Sequence, residues 1–391
     1  MRGISSTVLV WNFLMKLFLS LLSLLLSSLA FAGAGFPSPP PKVDAKAALL
    51  FDVSSGQVLA AQNAERKLEP ASLTKLMVAY LAFEALKKGD LDLDDTLTVS
   101  QHAAMASGSR MFAKAGQTIK VDDLLSALII QSANDAALTL AEEMGGSEAG
   151  FVEKMNAKAK KLGLASTHFT NATGHSQPGH LSTAQDMTRL AVLLMAHFKE
   201  PYKRYFSRRE FSYGGITQQN RNLLLWRDPM VDGVKTGHTQ SAGYCQIASA
   251  ERNGRRLVAT ILGARSEADR AMYALQWLNY GFLETESIRY YKAGKPVAVF
   301  PIYKGSRDEI RVGFLKDFSL TYRKGVSGRI KAQVISRQPY LAPIRRGQAV
   351  ATLRMTLDGN VIGDYPLVAL EDVAVAGWFG RFWDGLKLMW K

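Results

Sequence analysis

Hydrophobic and polar positions over the first 285 residues alternate between patterns typical of strands and patterns typical of helices. Ala47–Val53 is a continuous apolar run that predicts a buried strand, and a second strand is expected at 57–61 after a turn. Apolar residues then recur at three- and four-residue intervals. This spacing predicts five helices: Ser72–Lys87, Val121–Met144, Phe151–Leu162, Thr183–Phe198 and Glu267–Leu283.

Two short β-type runs lie between the last two of these helices. Tyr244–Ala250 and Leu257–Leu262 flank Asn253-Gly254, a dipeptide that favours the tight turn of a β-hairpin. Strands at both ends of a region, with helices between them, predict an α+β domain whose terminal strands pair in one sheet. We expect this domain to span residues 46–285.

The hydrophobic pattern changes after residue 285. Short runs rich in Val, Ile, Tyr and Phe now alternate with Gly, Pro and Asp turns at intervals of about ten residues. This pattern is typical of a small all-β sandwich, which we expect over residues 286–371.

A third pattern closes the chain at 373–391. Its aromatic residues recur at three- and four-residue spacing, and cations take other positions. An aromatic face beside cations predicts an amphipathic helix that lies in a membrane interface, because the segment is too short and too charged to span a bilayer. The alternative is a helix packed on the β domain. The residues concerned are Trp378, Phe379, Phe382, Trp383, Leu386 and Trp390, with Arg381, Lys387 and Lys391 as the cations.

The first 32 residues have the composition of a secretory signal peptide. Arg2 and Lys16 precede an apolar run at 17–29, which ends in the small-residue sequence Ala30-Phe31-Ala32. Cleavage there would remove two of the 14 net positive charges and leave a Gly/Pro-rich linker at 33–45. The alternative is an uncleaved membrane anchor, for which the apolar run is short. The sequence therefore predicts an exported protein.

The overall charge and the metal-binding residue types limit the classes of partner. A formal net charge of +14 favours an anionic surface or polymer, yet the chain lacks a run of five Lys/Arg and any nucleic-acid-binding motif. We therefore do not expect nucleic acid as a partner. Cys245 is the only cysteine, which excludes an intrachain disulfide and predicts an inert thiol on a buried strand. None of the six histidines has H-E-x-x-H spacing, so neither a metal site nor a cofactor is predicted.

Candidate chemistry begins with the tetrapeptide S-L-T-K at 72–75. Residues three apart share a face of a helix, so the Ser72 hydroxyl and the Lys75 amine can come within hydrogen-bonding reach. A serine nucleophile needs an adjacent base, and a lysine can serve when burial or a nearby cation lowers its pKa. Pro70 places Ser72 near the start of the helix, where backbone N–H groups favour a developing oxyanion. Alone, the pattern is weak because it also arises by chance in ordinary helices.

Two further motifs follow in the chain. Ser132 and Asn134 form an S-x-N motif within the long helical pattern at 121–144, and K-T-G at 235–237 precedes the strand run at 244–250. Each is common by itself. In this order, S-x-x-K, S-x-N and K-T-G are the motif set of penicillin-binding proteins and serine β-lactamases.

Longer segments extend the match, namely 69–75, 131–137, 171–174, 181–187, 220–224 and 231–239. On these segments the chain resembles low-molecular-mass penicillin-binding proteins of the D-alanyl-D-alanine carboxypeptidase type, as found in Gram-negative bacteria. The resemblance implies a serine β-lactamase/DD-peptidase-like α+β domain, with an antiparallel sheet flanked by helices, followed by the β sandwich and the amphipathic helix. It also implies peptidoglycan stem peptides as substrates, β-lactams as covalent inhibitors, and a periplasmic enzyme anchored peripherally to the outer face of the inner membrane.

The resemblance further implies catalytic roles. Ser72 would attack the carbonyl between two D-alanines and form an acyl-enzyme, with Lys75 as the proton acceptor. Ser132 would relay a proton toward the leaving amine. Lys235 would help to hold substrate and would lower the pKa of Lys75 by like-charge repulsion.

Binding roles are implied in the same way. Asn134 would bind the substrate amide, and the backbone N–H groups of Ser72 and His238 would form the oxyanion hole. The terminal carboxylate of the substrate needs a cation, for which Arg270 is the first candidate and Arg265 the second. The loop at 107–110 is expected near the site, with no assigned role. The complete set of binding residues is Lys235, Asn134, Thr236, Gly237, His238 and Arg270.

Three other functions use the same fold or motifs. A β-lactamase would need an added base for fast deacylation, and Glu200 and Glu210, which lie between the second and third motifs, have no recognisable motif around them. An endopeptidase that cleaves crosslinks is a near variant of the carboxypeptidase. A non-catalytic wall-binding protein is the third alternative, against which the intact Ser72, Lys75, Ser132 and Lys235 count.

Overall fold

The computed structural model describes residues 39–377 and Asp384. These residues form two compact units, one from Pro40 to Leu283 and the other from Glu284 onward. The predicted signal peptide at 1–32 lies outside the described residues, as does the predicted helix at 373–391 apart from Asp384 and residues 373–377. Residues 373–377 are not helical, because Val373 and Val375 form isolated β-bridges with Ile344 and Gly305, so the expected helix start at 373 is wrong. Within the described part, no helix combines the length and the apolar character needed to cross a membrane.

The first unit contains nine strands within the described residues, five of which form one antiparallel sheet. The nine strands are β1 (Ala47–Asp52), β2 (Gln57–Gln62), β3 (Thr96–Thr98), β4 (Thr118–Lys120), β5 (Glu210–Tyr213), β6 (Ile216–Gln219), β7 (Val231–Thr239), β8 (Gly243–Arg252) and β9 (Arg255–Ala264). The large sheet has the order β2-β1-β9-β8-β7. The pairs β3-β4 and β5-β6 form separate two-stranded sheets that the hydrophobic pattern did not predict. Because β1 pairs with β9, the predicted pairing of the terminal strands is confirmed.

Nine helices flank this sheet within the described residues. They are α1 (Lys75–Lys88), α2 (Gln101–Ala104), α3 (Val121–Ser126), α4 (Asn134–Gly145), α5 (Glu148–Leu162), α6 (Ala184–His197), α7 (Lys199–Tyr205), α8 (Leu224–Arg227) and α9 (Glu267–Glu284). A 3₁₀ turn (Ala71–Thr74) leads directly into α1. The expectation of helices at 151–162, 183–198 and 267–283 is confirmed by α5, α6 and α9.

The hairpin between β8 and β9 shows how the local sequence determines the turn. Arg252 pairs with Arg255, so Asn253 and Gly254 alone make the connection. Both residues have positive φ, 52° and 74°. Asn and Gly tolerate this conformation, which a two-residue type I′ turn requires. The predicted hairpin is therefore confirmed.

The expected single helix at 121–144 is wrong. After α3 the chain makes a π-helical turn (Ala127–Gln131), then turns left-handed at Ser132 (φ 66°, ψ 36°) and extended at Ala133 before α4 begins. Every residue from 124 to 141 is buried. The apolar pattern consequently continues across the break, and hydrophobic periodicity alone cannot reveal it.

Helix α1 anchors the first unit's core. Leu76, Met77 and Phe83 are at most 1 % exposed, and burying each side chain contributes roughly 2 kcal/mol. The helix packs against α4 and α6, and α6 in turn packs on β1 and β9. The start of α1, where Ser72 lies, is therefore held by a packed core.

The second unit is all-β, and the predicted sandwich is confirmed. Its strands are β10 (Thr285–Tyr291), β11 (Pro296–Tyr303), β12 (Glu309–Gly313), β13 (Phe318–Arg323), β14 (Ile330–Ser336), β15 (Tyr340–Leu341), β16 (Ala349–Leu357) and β17 (Asn360–Ala369). They form a six-stranded sheet of order β14-β16-β17-β12-β11-β15 and a two-stranded sheet β10-β13. Buried apolar side chains such as Ile310, Leu353 and Leu367 form the core of this unit.

Candidate active site

Ser72 and Lys75 lie at the junction between the 3₁₀ turn and α1. Lys75 Nζ donates a hydrogen bond to Ser72 Oγ at 3.1 Å and another to the carbonyl oxygen of Thr173 at 2.6 Å. The predicted contact between hydroxyl and amine is confirmed. The preceding residue, Ala71, has a φ of 48°, a left-handed conformation that is strained for a residue with a Cβ atom.

Two glycines allow other segments to approach the Ser72 backbone. A Cβ atom on Gly174, which has a φ of +86°, would lie 2.0 Å from the Ala71 carbonyl oxygen. A Cβ atom on Gly237 would lie 3.0 Å from the Ser72 backbone nitrogen. Only glycine fits the first position, so the loop at 171–177 and strand β7 hold the nucleophile from two directions.

Burial changes the acid–base properties of both active-site lysines. Lys75 is 1 % exposed, and desolvation lowers its pKa to about 7, against an opposing effect of the Asp135 carboxylate. Burial also lowers the pKa of Lys235 well below its ordinary value, and the charges of Lys75, Arg270 and Arg221 lower it further. Burial is thus the largest cause of the lowered pKa of both lysines, and the two amines also repel each other, as the effect of the Lys75 charge on the pKa of Lys235 shows.

The S-x-N motif places two unsatisfied oxygens in the protein interior. Ser132, whose left-handed backbone ends the π-helical turn, has a buried Oγ without a hydrogen-bond partner in the described structure. Asn134, the first residue of α4, donates from Nδ2 to the Ser107 carbonyl oxygen at 2.6 Å and lies 3.3 Å from His175 Nε2. Its Oδ1 is also buried and unpartnered. Buried polar atoms in this state are expected to find partners when a ligand binds.

The K-T-G motif precedes the strand run at 244–250, now β8, as expected, and itself lies on a strand, β7, that the hydrophobic pattern did not predict. Lys235, Thr236 and Gly237 belong to β7, where they pair with Ile247, Gln246 and Cys245 of β8. β7 stands last in the sheet order, so its outer edge has no strand partner in the described chain. An edge of this kind presents backbone N–H and C=O groups to an extended peptide.

His238 follows the motif on the same strand. Its side chain is exposed, and its ring stacks on that of Tyr244 with centroids 4.0 Å apart. The stack orients the last part of β7, whose backbone continues past Gly237.

The arginines predicted to bind a carboxylate have different environments. Arg270 is 3 % exposed and donates to Glu267 at 2.5 Å, to the Gly237 carbonyl oxygen at 3.3 Å and to the Arg221 carbonyl oxygen at 3.4 Å. Arg265 is largely exposed and pairs with Asp44. The Arg270 guanidinium is thus buried among protein oxygens, and the Arg265 guanidinium pairs with Asp44 at the surface.

Arg221 was not singled out in the sequence. Its side chain is exposed, no ion-pair partner for it is found across residues 39–377 and Asp384, and its charge lowers the pKa of Lys235. It lies in the family-like segment 220–224, but that match gave the residue no role of its own.

His180 has a structural role, and Cys245 is inert, as predicted. His180 Nδ1 accepts the Thr170 N–H at 3.0 Å, so Nε2 carries the proton and donates to Thr74 Oγ1 at 2.7 Å. Burial lowers the pKa of His180 to about 4, which keeps the ring neutral in this bond. Burial raises the pKa of Cys245 to about 11, so its thiol stays protonated.

Comparison with known proteins identifies the family. A family model described as D-alanyl-D-alanine carboxypeptidase matches residues 35–266, and a model described as penicillin-binding protein 5, C-terminal domain, matches residues 286–375. The chain belongs to the D-alanyl-D-alanine carboxypeptidase family. It is 39 % identical to D-alanyl-D-alanine carboxypeptidase DacC of Escherichia coli K12 over 352 residues, which cover 88 % of each chain.

Solved structures agree with this family assignment. Penicillin-binding protein 5 from Haemophilus influenzae superposes with a TM-score of 0.83 at 33 % identity, covering 86 % of this chain and 100 % of that one. Penicillin-binding protein D2 from Listeria monocytogenes, solved in an ampicillin-bound form, has a TM-score of 0.58 at 35 % identity and covers 62 % of this chain and 100 % of that one. The chain is thus a serine-type carboxypeptidase of the penicillin-binding class that acts on the cell wall, and the β-lactamase alternative is not favoured.

Proposed function

We propose that Ser72 is the nucleophile that cleaves the terminal D-Ala-D-Ala bond of peptidoglycan stem pentapeptides, with Lys75 as its base. The observation that carries the proposal is the 3.1 Å contact from Lys75 Nζ to Ser72 Oγ, made by an amine whose pKa is about 7. A neutral Lys75 accepts the hydroxyl proton as Ser72 Oγ bonds to the carbonyl carbon. Water then hydrolyses the acyl-enzyme and releases the shortened peptide.

The negative charge on the attacked carbonyl oxygen needs fixed donors. The backbone N–H groups of Ser72 and His238 are suited to this role, because Gly237 lets β7 approach the Ser72 nitrogen. The open edge of β7, including Thr236, would align the extended peptide, and Asn134 would hydrogen-bond its amide. Ser132, whose hydroxyl has no other partner in the described chain, would pass the proton from Lys75 to the leaving amine.

The departing D-alanine carries a carboxylate. We assign its binding to Lys235 with Arg221, because Arg221 is exposed and its charge already acts on Lys235. Arg270 then becomes a positioning residue: its bonds to the carbonyl oxygens of Gly237 and Arg221 tie β7 to the segment that carries Arg221.

The direct test is release of D-alanine from a stem pentapeptide by the chain without residues 1–32. We expect Ser72→Ala to abolish release and Ser207→Ala, at an exposed serine, to leave it unchanged. If both variants keep the wild-type activity, the assignment of Ser72 is overturned. A crosslinked dimer of stem peptides, assayed in parallel, measures the endopeptidase alternative. Turnover of penicillin faster than cleavage of the pentapeptide would instead support a β-lactamase.

We further propose that the protein is exported to the periplasm and held at the outer face of the inner membrane. The signal-peptide composition of residues 1–32 and the aromatic, basic spacing of residues 378–391 support this location, as does a substrate assembled outside the membrane. A chain that ends at Glu371 is expected to move from the membrane fraction to the soluble fraction. Unchanged membrane association would contradict the anchor and favour a C-terminal helix packed on the β domain.

A further inference from the structure

The loop at 107–113 borders the substrate-binding Asn134. Besides its side-chain bond to the Ser107 carbonyl oxygen, Asn134 donates its backbone N–H to the Ser109 carbonyl oxygen at 2.7 Å. The next residue is Arg110. Its position is therefore determined by the same segment that positions Asn134.

Arg110 is a cation without a matching anion. Its Nε is buried and has no hydrogen-bond partner, and no carboxylate in the described residues lies within ion-pair distance of its guanidinium. The Cζ atom lies 5.4 Å from the ring centroid of Phe112. Leaving a buried N–H of a charged group unsatisfied is costly, so such a group in a native site calls for a ligand.

Phe112 is held in a conformation that its own side chain disfavours. Its φ is 65° and its ring is 55 % exposed, although exposure of a large apolar ring has no folding benefit. The backbone on both sides is fixed, because the Asp135 carboxylate accepts the N–H groups of Met111 at 3.0 Å and Ala113 at 3.2 Å. The strain is thus maintained by a buried carboxylate one residue from Asn134.

Strand β6 fixes the same loop from outside. Gln218 Nε2 donates to the Arg110 carbonyl oxygen at 3.0 Å. Arg110 and Phe112 are consequently presented as a preorganised pair: a guanidinium that lacks an anion, lying over an exposed aromatic ring.

We propose that Arg110 and Phe112 form a subsite for a carboxylate-bearing residue in the part of the stem peptide that precedes the scissile bond. The proposal rests on the proposed function, which assigns the terminal carboxylate to Arg221 beside Lys235. An anion bound at Arg110, beside Asn134, must then belong to a residue on the N-terminal side of the scissile bond. The guanidinium binds the side-chain carboxylate, and the Phe112 ring covers the aliphatic part of the same side chain.

Two synthetic pentapeptides test the subsite. They differ only in the third residue, which is diaminopimelate in one and lysine in the other, so that only the first carries the extra carboxylate. We expect kcat/KM to be roughly tenfold higher for the diaminopimelate peptide, the low end for a hydrogen bond to a charged group. In Arg110→Gln the ratio should fall to within about twofold of unity, whereas Arg110→Lys should retain part of the preference.

Lys114→Gln is the matched control, because it removes an exposed cation from the same region without touching the pair. We expect it to leave the ratio at the wild-type value. Equal ratios in wild type and Arg110→Gln would overturn the subsite, and so would a ratio that falls equally in Lys114→Gln. Failure to cleave either peptide would instead count against the proposed function, which separates the two hypotheses.

Discussion

The acylation rate should follow the ionisation of Lys75. Burial, partly offset by the Asp135 carboxylate, lowers the pKa of Lys75 from an ordinary 10.5 to about 7, which corresponds to a net effect of about 5 kcal/mol against the charged form. Below pH 7 the amine is mostly protonated and cannot accept the Ser72 proton. The rate constant for acylation by a fluorescent penicillin is therefore expected to rise about tenfold per pH unit up to pH 7 and then level off.

Stopped-flow measurements between pH 5 and 9 test this directly. At pH 6 we expect about a tenth of the maximal rate constant, since the penicillin carboxylate stays ionised throughout this range and does not contribute to the profile. The Asp135 carboxylate raises the pKa of Lys75, so Asp135→Asn should move the inflection to lower pH. A profile without an inflection near pH 7, or one that rises only toward pH 10.5, would refute the assignment of Lys75 as the base.

Three further predictions concern the surroundings of the site. Gly174→Ala should lower the acylation rate constant at least a hundredfold, because the added Cβ collides with the Ala71 carbonyl oxygen. The control is Gly116→Ala, which is also at positive φ but has open space around it and should leave that rate constant unchanged. Equal losses in the two variants would show that backbone strain, not the collision, is responsible. The free energy of unfolding should fall by about 3 kcal/mol as the pH is lowered from 6.5 to 4, because the unfolded chain protonates His180 at a higher pH than the folded chain does. Urea unfolding of His180→Gln should show a weaker pH dependence of this free energy, and an equal pH dependence would contradict this origin. Arg221→Gln should raise KM for the pentapeptide about tenfold, whereas Arg265→Gln should not; equal effects would refute the assignment of the carboxylate to Arg221.

The sequence predicts most of the fold because each domain has a clear hydrophobic pattern. The hairpin at Asn253-Gly254 and the helices α5, α6 and α9 follow from turn residues and periodicity. The break at Ser132 could not be predicted this way, since buried residues on every side of the helix remove the contrast between faces. Short hairpins such as β5-β6 lack a long run and depend on contacts made elsewhere in the fold.

Only part of the active site can be predicted from the sequence. Motif order predicts that Ser72, Ser132 and Lys235 act together, and local spacing predicts the contact between Ser72 and Lys75. The roles of Gly174, Asp135 and Arg221 depend on distances between segments far apart in the chain, which no local pattern encodes. The cause of the lowered pKa of Lys75 also required its burial to be known.

Covalent trapping of Ser72 tests the central claim most directly. After incubation with benzylpenicillin, the protein is digested and the modified peptide is identified by mass spectrometry. We predict one penicilloyl group per chain, located on Ser72 and absent from Ser72→Ala. An adduct on another residue, or an unmodified Ser72 in protein that still cleaves the pentapeptide, would contradict the account.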